Sequence, residues 1–236
     1  AAAGCTDDDL ECGAQIPTDR AAADALVRAG LRPMPIHNNC SGKHAGFICT
    51  ACHAGIAPSG YVAASHPVQQ GVAEAVGALT DTRLDGEGYG IDGCSIPTWP
   101  IPLRNLAQAF ARIAAGTGMS PSRARVTQRL MAACFAEPFL VAGTGRFDTA
   151  ILSALPGRAF VKGGAEGVAA AALPELQLGI FVKIDDGAGR AADVALATAI
   201  AALLPLDARE AAAVDARRVA SVLSRRGVAV GEIRAA

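Results

Sequence analysis

The apolar pattern of this chain changes character once, near Pro156-Gly157, and that change restricts the fold more than any other feature. Before it, apolar residues recur at helical intervals; after it, short apolar runs bounded by turn residues read as strands. Thr18 is the expected N-cap of a helix over Asp19–Ala29, with Gly30 as terminator. The prolines at 33 and 35 hold the next segment extended and deliver His37–Cys40 to another helix start. Ser65-His66-Pro67 opens a helix carrying Val68, Val72, Ala75, Val76 and Leu79 on one face. Asp81–Gly93 is turn-rich, and the prolines at 97, 100 and 102 make Ile96–Pro102 an ordered loop. Helices are then predicted over Leu103–Ala115, from Ser120-Pro121 to Ala136, and over Phe147–Leu155. Strands follow over Arg158–Lys162, Val168–Leu173 and Leu178–Ile184. An Ala/Leu helix over Ala191–Leu204, one more amphipathic helix and a last strand over Gly227–Arg234 complete the chain. Helices first, then strands flanked by helix, imply an α+β arrangement with a helical lobe beside a sheet. At 236 residues the chain suits one domain, or two lobes of one. With 51% hydrophobic residues but only 4% aromatics, its core must be built from Ala, Val, Leu and Ile.

Charge excludes several classes of function. A net charge of -1 gives no electrostatic basis for binding nucleic acid or an anionic membrane surface. No apolar run is long enough to span a bilayer, and the first residues lack the basic-then-apolar order of a signal peptide. The seven cysteines are too scattered for a disulfide scaffold, so reduced thiols in a cytoplasmic protein are expected. Cys49-Thr50-Ala51-Cys52-His53 is a formal haem-attachment pattern. It sits inside a segment that reads as a buried helix, where cysteine behaves as a small hydrophobe, and the haem reading is set aside.

Three loops concentrate the chemistry. His37-Asn38-Asn39-Cys40-Ser41-Gly42-Lys43-His44 crowds two carboxamides, two imidazoles, a thiol, a hydroxyl and an amine ahead of a helix. It is no phosphate loop, because histidine stands at 37 and 44 where that motif needs Gly and Ser/Thr. Asn or Ser capping would explain Asn39 or Ser41, but not Cys40 and Lys43 as well. Gly90-Ile91-Asp92-Gly93-Cys94-Ser95 adds a second thiol and a carboxylate. Cys40, Lys43 and Cys94 could together bind zinc, since thiolates are good zinc ligands and a desolvated lysine can donate its lone pair. Lys162-Gly163-Gly164 follows a strand, with glycines that would let a substrate approach the backbone. That last element resembles the K-T-G strand of serine β-lactamases and penicillin-binding proteins.

Taken in order, four motifs resemble those of the asparaginase II family, the Rhizobium-type L-asparaginases. They are His37–Gly46, Asp92-Gly93-Cys94, Gly143-Thr144-Gly145-Arg146-Phe147-Asp148 and Lys162–Gly167, and the resemblance runs from about Leu10 to the C-terminal helices. It implies a fold similar to serine β-lactamases and penicillin-binding proteins. The implied reaction is hydrolysis of L-asparagine to L-aspartate and ammonia by paired serines and lysines. By residue match Lys162 is a catalytic lysine and Ser41 a substitute hydroxyl. Asn39, His44, Asp92 and Gly164 contact the substrate, and Cys40, Lys43 and Cys94 hold a zinc ion with a modulating role. No cofactor is required. The implied partners are the small-molecule substrate and, in a homodimer, a second copy.

One departure matters. The family carries an S-x-x-K element and a second catalytic serine upstream of the His-Asn-Asn motif. Here Thr6 and Thr18 are the only hydroxyls before His37. The expectation is therefore a chain that covers the C-terminal two-thirds or more of the family domain, with impaired turnover. The rival readings are a zinc-binding non-catalytic remnant and an amidase or glutaminase acting on another small amide.

Overall fold

A computed structural model describes residues 4–84 and 88–235. The chain divides into two compact units, Ala1–Pro100 and Ile101–Ala236, each described by itself.

The first unit is mainly helical. Helix α1, Arg20–Arg28, is capped by Asp19, whose side chain accepts the Ala22 N–H at 2.8 Å. The cap is thus one residue later than the expected Thr18, because a carboxylate competes better than a hydroxyl for the first free amides. No residue of α1 is buried, as its alanine-rich face suggested. A 3-10 turn at Pro35–His37 leads into α2, Ser41–His53. Helix α2 buries His44, Ile48 and Ala51, whereas Cys49 is exposed. The buried-helix reading therefore holds for one face only, since a helix of 3.6 residues per turn cannot bury 48 and 49 equally. Helix α3, Pro67–Thr80, starts at His66, whose Nδ1 accepts the Val68 N–H at 3.2 Å. The turn-rich segment Asp81–Gly93 falls in part on residues 85–87, outside the described residues. It ends in a strand, β1 (Gly90–Ile91), which pairs antiparallel with β2 (Pro97–Thr98). The expected loop at 96–102 thus contributes a short strand as well. Leu10, Cys12, Ile48, Tyr61, Cys94 and Ile96 form the core of this unit.

The second unit begins with α4 (Leu103–Ala115), α5 (Pro121–Ala136), α6 (Pro138–Ala142) and α7 (Phe147–Ala154). Strands β3 (Phe160–Gly164), β4 (Val168–Leu173) and β5 (Leu178–Lys183) make an antiparallel sheet in the order β3-β4-β5. Helices α8 (Gly189–Leu203) and α9 (Ala208–Asp215) follow, and β6 (Val219–Leu223) pairs with β7 (Ala229–Arg234). The last strand was expected from sequence; its partner β6 was not.

Alanine makes this sheet possible. Strand β4 carries four consecutive alanines, all buried. Side chains alternate across a strand, so Ala169 and Ala171 join the core with Ile151, Leu152, Leu196 and Ile200, while Ala170 and Ala172 face the other way. On that second face Phe110 of α4 lies against Phe160 and Phe181, with ring centroids 6.4 and 6.3 Å apart. Gly179 pairs with Ala172 on this face, and a Cβ there would come within 1.9 Å of the Ala107 carbonyl oxygen. Backbone-to-backbone approach of α4 to β5 therefore requires glycine at 179. Arg158 locks the far end by pairing with Glu175 and Glu210 and donating to the Pro205 carbonyl at 2.9 Å.

Candidate active site

The loop before α2 is organised by Asn38, which is buried. Its amide nitrogen donates to the Cys12 and Gly13 carbonyls at 2.9 and 3.1 Å, and its Oδ1 accepts the Cys40 N–H at 2.8 Å. That arrangement places Cys40 at the N-cap, where its side chain makes no capping bond. The Ser41 N–H donates to the Asn38 carbonyl at 2.9 Å, and among the described residues the Gly42 and Lys43 amides have no side-chain partner, which leaves them to an anion or carbonyl oxygen. Asn39 is exposed, and its backbone N–H reaches Gln15 Oε1 at 3.4 Å. Ser41 is the first residue of α2 and half-buried; among the described residues its hydroxyl has no hydrogen-bond partner.

The turn between β1 and β2 brings the second motif to the first. Asp92 accepts the Gly93 N–H on Oδ1 at 2.8 Å and the Cys94 thiol on Oδ2 at 3.0 Å. Ser95 holds a positive φ of 76°, a conformation rare for serine that this tight turn imposes. The turn aims Cys94 Sγ at Lys43 Nζ, 3.2 Å away. Cys40, Asp92 and Cys94 each present one ligand atom, all within 4.8 Å of one another. Two thiols and a carboxylate beside a lysine amine form a donor set that suits zinc. Burial first, then the bond to Asp92, push the Cys94 thiol up to about 11, against the opposing pull of Lys43. A cation at these donors would reverse that balance and favour the thiolate.

Behind the cluster lies a buried polar chain. Tyr61, fully buried, accepts the Glu11 N–H at 2.8 Å, and its hydroxyl shares a hydrogen bond with His44 Nδ1 at 2.7 Å. Glu11 in turn accepts the Gly60 N–H at 2.7 Å. Among the described residues His44 Nε2 has no hydrogen-bond partner. Burial first and then Lys43 push the imidazole down, and burial pushes the Tyr61 phenol up to about 12. Both groups are therefore neutral, as a buried pair sharing one proton should be. His44, expected to contact substrate, is fully enclosed and supports the N-terminal turn of α2 from within. A cavity of about 540 Å³ in this unit, lined by Gln70, Glu74, Arg83, Tyr89 and Trp99, includes none of the cluster residues. Chemistry rather than concavity marks the site.

The third motif belongs to the second unit. Lys162 is exposed on β3, with Nζ 3.7 Å from Asp148 Oδ2. Asp148, buried in the first turn of α7, accepts the Gly163 N–H at 2.8 Å. A Cβ at residue 163 would lie 3.3 Å from Asp148 Oδ1. The bare backbone at Gly163 is thus occupied by a carboxylate and is not open to substrate, which corrects the sequence reading of that glycine. Gly164 is exposed; a Cβ there would meet its cross-strand partner Val168 at 3.2 Å.

The structure therefore brings together Cys40, Lys43, Asp92 and Cys94, with Ser41 and His44 on the same helix turn, while Lys162 and Gly164 sit in the other unit. Asn38, Tyr61 and Asp148 were not singled out by sequence. Asn38 and Asp148 carried a local signal, their places in His37–His44 and Gly143–Asp148; Tyr61 carried none. Among curated proteins, none matches the chain. The family model for L-asparaginase II matches residues 1–235. With the motif order and the assembled Cys40–Lys43–Asp92–Cys94 cluster, that match means that the chain belongs to the L-asparaginase II family.

Proposed function

We propose that the chain is an amidohydrolase that converts L-asparagine and water to L-aspartate and ammonia, with family membership across residues 1–235 as the observation that carries the reading. In the Ser-Lys scheme, a serine hydroxyl attacks the side-chain amide carbon and a lysine takes its proton. The nitrogen leaves as ammonia after receiving that proton, and water then releases aspartate from the acyl-enzyme. Within its own unit, each of two groups is proposed for the reaction: Lys162 on β3 as a catalytic lysine, and Ser41 at the start of α2 as a hydroxyl. The open amides at the start of α2 suit the oxygen that becomes negative in the tetrahedral intermediate. Asp92 has the charge to orient the substrate ammonium, and Asn39, exposed in the loop before α2, is proposed to contact the substrate.

Cys40, Cys94 and Asp92, with Lys43, would hold zinc. Bound there, the ion supplies positive charge that fixes the thiolates and the start of α2. Those same donors favour a second reading, a metal-binding domain without turnover. Ammonia release from asparagine, glutamine and a β-lactam decides between the readings. Asparagine-selective release supports the first, and zinc binding with no hydrolysis of any amide supports the second.

A further inference from the structure

A buried carboxylate needs a reason, because its desolvation costs several kcal/mol unless it is paired and hydrogen-bonded. Asp148 is 5% exposed, and two groups of β3 answer it. The Gly163 N–H donates to Oδ2 at 2.8 Å, and the Lys162 ammonium lies 3.7 Å from the same oxygen. The missing side chain of Gly163 leaves the space that lets α7 set its carboxylate against the strand. β3 is the edge strand of the sheet, so this amide has no strand partner to take it. Among the described residues Lys162 is the cation paired with Asp148. Cys134 of α5 lies within electrostatic reach of Lys162, and Asp193 of α8 lies near Asp148 together with Arg146 and Arg217.

We propose that Asp148 is a positioning residue: it ties the Gly163 amide to α7 and, with the Gly163 carbonyl that accepts a hydrogen bond from Lys162 Nζ at 2.5 Å, fixes the place of Lys162 beside the β3 edge. The proposal rests on the reading of Lys162 as the reacting lysine. A lysine held against α7 presents its amine at one place beside the strand, and a lysine released from Asp148 does not.

Lysine occurs only at 43, 162 and 183, which allows a direct test. Acetylation with an N-hydroxysuccinimide ester, followed by peptide mass spectrometry, reads how readily the amine at each position is reached. Lys183 on β5 serves as the internal reference. In Asp148→Asn the amide oxygen still accepts the Gly163 N–H, but the charge is gone. The Lys162/Lys183 labelling ratio should rise roughly threefold or more, because the amine is no longer held against α7, and Asp148→Glu should bring it back toward wild type. A folded Asp148→Asn protein with an unchanged ratio overturns the proposal. A second measurement needs no variant: in wild type the ratio should rise from low to high salt, as a half-exposed ion pair is screened. A salt-independent ratio also overturns it. Ammonia is not read here, so absent turnover counts against the proposed reaction while the labelling ratio still judges Asp148.

Discussion

Replacing Tyr61 by Phe isolates the polar chain that supports α2. The ring stays, with its contacts to His44 and Phe47 at centroid separations of 5.4 and 6.1 Å, so no cavity opens. Only the hydroxyl is lost, and it serves two partners: the Glu11 N–H at 2.8 Å and His44 Nδ1 at 2.7 Å. Each buried group left without a partner costs about 1–3 kcal/mol, giving a loss of about 2–6 kcal/mol for the two. That is a large part of the stability of an ordinary domain, ~5–15 kcal/mol. Urea unfolding followed by the fluorescence of Trp99, the only tryptophan, measures it within the unit that holds both partners. The double variant Tyr61→Phe/His44→Leu should lose less than the sum of its single changes, by about 1 kcal/mol or more. A Tyr61→Phe loss below about 0.5 kcal/mol, or strict additivity, would refute the claim that this hydroxyl satisfies two buried groups.

Other outcomes follow from single residues. Gly179→Ala drives a methyl into the α4 backbone and should cost about 3 kcal/mol or more, seen as a lower urea midpoint; a loss under about 1 kcal/mol contradicts the α4–β5 contact. Asp193→Asn should raise the melting temperature at pH 7. Burial first and then Asp148 push the Asp193 carboxyl up, so its ionisation disfavours the folded state as pH rises through the carboxylate range. The gain should vanish in acid, and equal melting temperatures at pH 7 count against it. Cys40→Ser and Cys94→Ser should each abolish the rise in melting temperature that zinc gives the wild type; a rise that survives both places the metal elsewhere.

Local signals carried much of the fold. The strand predicted over Val168–Leu173 and the helix over Leu103–Ala115 appear with those bounds, since an alanine strand between turn residues and a Leu106/Phe110/Ile113 face are short-range patterns. Strands β1 and β2 were missed because two residues leave no periodicity to read. Strand β6 was missed because it is largely exposed and lacks an apolar alternation. At the site, Cys40, Lys43, Asp92 and Cys94 were legible as reactive types in Gly-bounded turns, although Lys43 and Cys94 stand 51 residues apart. Tyr61 was not, because nothing local marks a tyrosine whose partners are 17 and 50 residues away. Asp148 was quoted only as part of a motif. Its meaning depends on the Gly163 amide 15 residues on, which only the strand edge reveals.

L-Asparagine binding by titration calorimetry tests the central claim most directly, because it is read whether turnover is fast or slow. The folded protein should bind L-asparagine saturably and bind L-glutamine, one methylene longer, roughly tenfold more weakly or worse. No heat with L-asparagine, or equal affinity for the two amides, would contradict the assignment of this site to L-asparagine.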